Sequence, residues 1–411
     1  MIHEVSNRSI QHCLMEEDHL YLDTARIGLI SRGAALACNT VTNLANIDPR
    51  QIFDELAKFG EAEDPIIPHW QGQSEFRRSM LDCLNAGCED RLLFASHSAA
   101  LVKLVAKAIF LGSHSVFCTD LFWPRYKTVL SREAKRSSKQ LTVMPIRDCL
   151  KFATKTDIVE KVAASFLKSN CEAIFLTGIS SDGFKLPIDK IVERIEAERE
   201  IRFVAVDGAQ EFAQGNHCSS CGVADIYLFS CHKWLGGYYP LSVGLYGKRR
   251  SRDFLEVTIS RMIKSGAVED PLLRFQHCLY SRDSCSLQET VNLLPLLSAS
   301  GAINDLLASS ESSEDLEITN DRNRNNISDA ISQTNWAIVN DVPDISLHTR
   351  ILTLRHPNGM NWPRQQFEAS LRSNGIVCST YENGDVRLSL PTCELSAGEV
   401  TRIGDCFNEI A

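Results

Sequence analysis

Between residues 91 and 233 short apolar runs alternate with longer amphipathic ones. That alternation predicts strands joined by helices. The strand-like runs cover 91–95, 116–118, 141–146, 173–177, 203–206 and 224–229, and helical spacing covers 101–111, 156–167 and 188–198. Such an order builds a mostly parallel central α/β sheet with helices on both faces. Ahead of it, 18–33 reads as a short strand, a loop and a helix start. Apolar residues at threes and fours (Phe53, Leu56, Phe59, then Met80, Leu81, Leu84) predict helices between 35 and 90. Behind it, the basic segment 248–253 is expected to be a solvated turn, and the polar run 308–326 an exposed helix and loop. From about residue 335 a smaller α/β unit follows, with strands near 336–339, 351–354, 376–379 and 385–389 and a helix over 362–373. The expected organisation is a large domain over 30–290 and a smaller one from 1–29 and 291–411.

Composition narrows the class. The chain has 411 residues, 44% hydrophobic and 23% charged, which suits a soluble protein with a large core. A formal net charge of -9 gives no basic field for nucleic acid. No apolar run approaches the roughly 18 residues of a membrane span. The first residues lack an apolar signal core, so a cytoplasmic location is expected. The 15 cysteines are scattered, as small buried hydrophobes would be. His217, Cys218, Cys221, Cys231 and His232 offer zinc-ligand types, but not at the spacing of a ribbon or finger. No metal is expected.

Candidate chemistry concentrates in residues 204–248. A buried strand ends on Asp207, with Gln210 close behind, and the next strand ends on Ser230-Cys231-His232-Lys233. A lysine leaving a buried strand is partly desolvated, loses its proton more readily and can form a Schiff base. A carboxylate at the neighbouring strand end suits a pyridinium nitrogen. Each further polar cluster also follows a predicted strand, where ligands gather in open α/β sheets. Ser98 and Ala99 open a helix after the first strand, a geometry that presents backbone N–H groups to a phosphate.

The ordered set D-x-A-Q (Asp207, Ala209, Gln210) and S-x-H-K (Ser230, His232, Lys233), followed by a glycine-rich segment and VGLYGK, resembles the fold-type I pyridoxal phosphate enzymes. Within them it is similar to the aminotransferase class V group, which includes cysteine desulfurases. The resemblance implies a pyridoxal 5'-phosphate cofactor carried by Lys233, with Asp207 on the ring nitrogen and Gln210 on the phenolic oxygen. It implies a phosphate site from Ser98, Ala99, Ser230 and His232, and a stacking ring from Trp123, with Phe122 one residue away. Ser181 (or Ser180) stands where the family has an asparagine on the phenolic oxygen. Arg387 lies in a strand like the family's substrate-carboxylate clamp, with Arg26 a second candidate in the loop after Asp23. Ser284 or Ser286 would reach a partner subunit's phosphate in a homodimer with the site near the subunit interface.

The implied substrate is an amino acid or related amine. Transamination ranks first and a lyase or epimerase second. Desulfuration ranks lower, because Cys378 sits in a strand-like run and no histidine stands at the stacking position. A non-catalytic cofactor-binding protein and a zinc-binding module are the readings from other classes.

Overall fold

The structure is a computed structural model that describes residues 19–58, 66–67, 70–87, 91–215, 219–281, 290–309, 312–356 and 363–410. Its strands are β1 (Leu20–Tyr21), β2 (Arg91–Ala95), β3 (Ser115–Thr119), β4 (Gln140–Met144), β5 (Ala173–Thr177), β6 (Phe203–Asp207), β7 (Ile226–Ser230) and β8 (Ser242–Tyr246). They continue with β9 (Ala337–Ile338), β10 (Ile351–Arg355), β11 (Ile376–Val377), β12 (Ser379–Thr380) and β13 (Val386–Ser389).

The large sheet runs β2-β8-β7-β6-β5-β3-β4. All neighbours are parallel except β8, which lies antiparallel to both β2 and β7. Since β8 reverses twice, β2 runs the same way as β7, and the C-terminal ends of six strands share one edge. The expected mostly parallel α/β sheet is therefore present. β5 and β6 are buried at every position, as strands covered on both faces must be. Ile174, Leu176, Val204 and Val206 join one core. Ala173, Phe175, Phe203 and Ala205 join the other, under the helix Ser98–Gly112.

The smaller C-terminal unit holds an antiparallel sheet, β12-β13-β10-β9, and β11 pairs with β1 from the other end of the chain. The expected strand over 376–379 is thus two short ones. Helix Leu294–Ala308 packs on Arg32–Ala45, where Gly33 and Gly301 approach so closely that a Cβ on either would overlap the other's backbone.

Two sequence expectations are corrected here. The basic segment after Lys248 is no turn but the start of helix Arg249–Lys264, pinned where Arg250 and the Ser251 hydroxyl bond the buried Asp225. Within the polar run, the expected helix is present from Ser313 as the start of Ser313–Ser332, but it is not simply exposed. Its inner face buries Asn323, Arg324, Ile327 and Ile331. Arg324 Nη2 donates to Asn340 O at 2.7 Å and Asn323 Nδ2 to Cys393 O at 2.8 Å, so polar side chains cross-link the helix to the C-terminal unit. No helix among the described residues is long and apolar enough to cross a membrane.

Candidate active site

One row of strand ends supports the site. Thr177 and Asp207 are register partners on β5 and β6. Side chains alternate along a strand, so Thr177, Asp207 and Ser230 share the face of Phe175, Ala205 and Leu228, the one covered by the helix Ser98–Gly112. Asp207 is 5% exposed. Burial pushes its pKa up, opposed by the charge of Lys233 and by a 3.1 Å hydrogen bond from Ala209 N–H. Lys233 lies in the turn after β7 with its pKa lowered to about 8. Burial is the main cause and Arg387 adds to it, while Asp207 works in the opposite direction. An amine partly deprotonated near neutral pH, facing a buried carboxylate, is equipped for carbonyl chemistry.

Around this pair stand polar groups with unused capacity. His232 is held neutral, its pKa lowered to about 4 by burial and by Lys233, and its buried Nδ1 has no hydrogen-bond partner among the described residues. His97 caps the helix Ser98–Gly112 by accepting from Ala100 N–H at 3.2 Å. The N–H groups of Ser98 and Ala99 have no partner among the described residues. Ser230 Oγ lies 3.2 Å from Ser242 Oγ across the β7–β8 pair.

The ring that reaches this centre is not the one expected. Trp123 is 40% exposed, on the rim of a cleft of about 510 Å³ shared with Arg147, Ser181, Asp182 and Tyr381. Phe122 is buried in the core. Tyr126 instead is buried and close enough to Asp207 for that carboxylate to raise its pKa, burial being the larger cause. Pro124 was the available signal. A proline at the first helical position leaves Trp123 outside the helix Pro124–Arg136 and puts Tyr126 on its first turn.

Several other predicted residues are occupied. Gln210 Nε2 donates to Ala25 O at 2.8 Å and its Oε1 accepts from Trp234 Nε1 at 2.9 Å. It braces the loop after β1 against the turn after Lys233. Ser180 Oγ donates to Asp182 and accepts from Phe184 N–H, closing its own turn. Ser181 lines the outer cleft, and its carbonyl accepts from Arg387 Nη1 at 3.3 Å.

Arg387 is 4% exposed. Its Nη2 donates to Ser379 Oγ at 3.1 Å and to Asp23 at 3.5 Å, while its buried Nε has no partner among the described residues. Arg26 is exposed on the loop. Cys378 has its thiol pushed well above the usual range, chiefly by burial. Ser284, Ser286, His217 and Cys218 lie outside the described residues. Among the described ones, no group of three metal-ligating side chains is placed to hold an ion.

No protein-family model and no curated protein matches the sequence. Solved structures do match over nearly the whole chain. The apo cysteine desulfurase from Thermococcus onnurineus NA1 is 13% identical with a TM-score of 0.69, covering 99% of each chain. The ureidoglycine–glyoxylate aminotransferase of Bacillus subtilis is 10% identical with a TM-score of 0.66, covering 95% of this chain and 92% of that one. A C-DES mutant with glycine covalently linked to its PLP cofactor is 13% identical with a TM-score of 0.66, covering 96% of each. The chain therefore has the fold of the fold-type I, class V aminotransferase and cysteine desulfurase structures.

Proposed function

We propose that the protein is a pyridoxal phosphate-dependent enzyme that acts on an amino acid or related amine, with transamination as its reaction. The observation that carries this is the amine of Lys233, brought down to about 8, beside the buried carboxylate of Asp207. His232 Nδ1, Thr177 Oγ1 and Arg387 Nε are buried polar atoms without partners, which a polar anionic ligand would satisfy. They fit this cofactor. When bound, pyridoxal phosphate supplies a carbonyl that condenses with amines and a ring that withdraws electrons from the substrate.

This chain's residues would divide the work as follows. His232, Ser230 and the N–H groups of Ser98 and Ala99 hold the phosphate, helped by the helix dipole. Tyr126 packs against the ring. Asp207 keeps a proton on the ring nitrogen. Lys233 carries the cofactor, then takes and returns a proton at the substrate carbon through Nζ. Arg387 orients the substrate carboxylate. The raised pKa of the half-buried Cys378 thiol supports transamination over desulfuration, since a protonated sulfur is a poor nucleophile.

Pyridoxal phosphate added to the purified protein should give a visible absorption band distinct from that of the free cofactor. Borohydride should abolish it and fix the cofactor on the Lys233 peptide. Labelling should rise with pH through a midpoint near 8, because only the deprotonated amine attacks. A protein that takes up no cofactor under these conditions sinks the reading. Separately, Arg387→Lys keeps the charge but loses the fork. It should raise KM for carboxylate substrates by about ten- to a hundredfold, the scale of a charged hydrogen bond. The corresponding decarboxylated amines, tested in parallel, should be unaffected.

A further inference from the structure

Thr177 is 4% exposed at the last position of β5, and its Oγ1 has no hydrogen-bond partner among the described residues. A buried hydroxyl left unpaired costs free energy, so native proteins rarely keep one that neither ordered water nor a ligand satisfies. It stands next to Asp207 in register and on the same face. The order of strands decides what it would meet. β2 and β7, whose ends lead to Ser98, Ser230 and His232, lie on one side of β6, and β5 lies on the other. Pyridoxal phosphate carries its phosphate arm and its phenolic oxygen on opposite sides of the axis through the ring nitrogen. With the nitrogen on Asp207 and the phosphate toward β7 and β2, the phenolic oxygen falls on the β5 side.

We infer that Thr177 is a cofactor-binding residue whose hydroxyl donates to the phenolic oxygen of pyridoxal phosphate; this rests on the proposed cofactor and deepens it. The residues expected for that oxygen are differently employed. Ser180 Oγ is consumed inside its turn, Ser181 faces the outer cleft, and Gln210 bonds Ala25 and Trp234. Thr177 supplies an unspent hydroxyl donor, beside the one amide N–H that Gln210 keeps.

The test is Thr177→Val, which removes the hydroxyl at nearly constant shape, with Thr177→Ser as the variant that restores it. Cofactor affinity, titrated by the visible band, should fall about tenfold in Thr177→Val, the scale of one hydrogen bond to a charged oxygen. It should recover in Thr177→Ser. The melting temperature of the cofactor-free Thr177→Val protein should equal or exceed that of the parent, because an unsatisfied hydroxyl has gone. A cofactor analogue without the phenolic oxygen should bind parent and Thr177→Val equally.

Equal affinity of the two proteins for the intact cofactor would overturn the assignment. So would a tenfold loss that persists with the analogue, or a lowered melting temperature in the cofactor-free protein, which would mark Thr177 as structural. If the parent itself takes up no cofactor, the proposed function fails instead, and the two failures are told apart by that control.

Discussion

Lys233→Ala protein is expected to leave added pyridoxal phosphate with the absorption of the free aldehyde, to show no borohydride labelling at this position, and to lose turnover by at least about a thousandfold. General acid–base catalysis alone contributes roughly 10²–10⁴-fold, and this side chain is assigned both attachment and proton transfer. The substitution also removes the cation that opposes the rise in the Asp207 pKa. Asp207 should then titrate higher still, in a direction that weakens its hold on a protonated ring nitrogen. Absorption spectra, peptide mass mapping after reduction and single-turnover assays with an amino acid panel check these outcomes together. Retained labelling on the 233 peptide, or turnover within tenfold of the parent, would contradict the role given to Lys233.

Asp207→Asn is expected to bind the cofactor yet turn over about 10²–10³-fold more slowly, the scale of removing one preorganised electrostatic partner. An amide is nearly the same shape as the carboxylate but cannot keep a proton on the ring nitrogen, so the ring withdraws electrons less well. The sign of a second effect follows from the charges. Asp207 raises the Lys233 pKa while burial and Arg387 lower it, so removing the carboxylate should move the labelling midpoint below about 8. A midpoint that stays in place or moves up would mean that Asp207 does not sense the amine.

The fold was legible where burial wrote continuous apolar runs. Arg91–Ala95 and Ala173–Thr177 were bounded correctly from sequence because a strand enclosed on both faces has no other composition available. Charge concealed the helix Arg249–Lys264, whose basic first turn looks like a surface loop until the buried Asp225 is found beneath it. Polar residues likewise masked the inner face of Ser313–Ser332.

Within the site, the strand-terminal Asp207 and the exit from β7 into Lys233 followed from residue type and order. Tyr126 did not, because ring burial depends on where a helix starts, and a difference of three residues exchanges an exposed indole for an enclosed phenol. The commitments of Gln210 and Ser180 were equally hidden. A sequence shows which side chains can hydrogen-bond, whereas only coordinates show which have already done so. Thr177 is the converse case, a residue with no motif around it whose interest lies entirely in a missing partner.

The parallel pair of β1 and β11 has a consequence for how the site assembles during synthesis. Asp23, in the loop after β1, meets Ser379 and Arg387 across sequence separations of 356 and 364 residues. The large sheet, complete by Tyr246, can close long before those partners leave the ribosome. Loop closure over such a span is slow relative to local pairing. The residues for the end of the site that holds Lys233 and Asp207 are therefore supplied first, and those for the end that holds Arg387 are the last of the pocket to be synthesised.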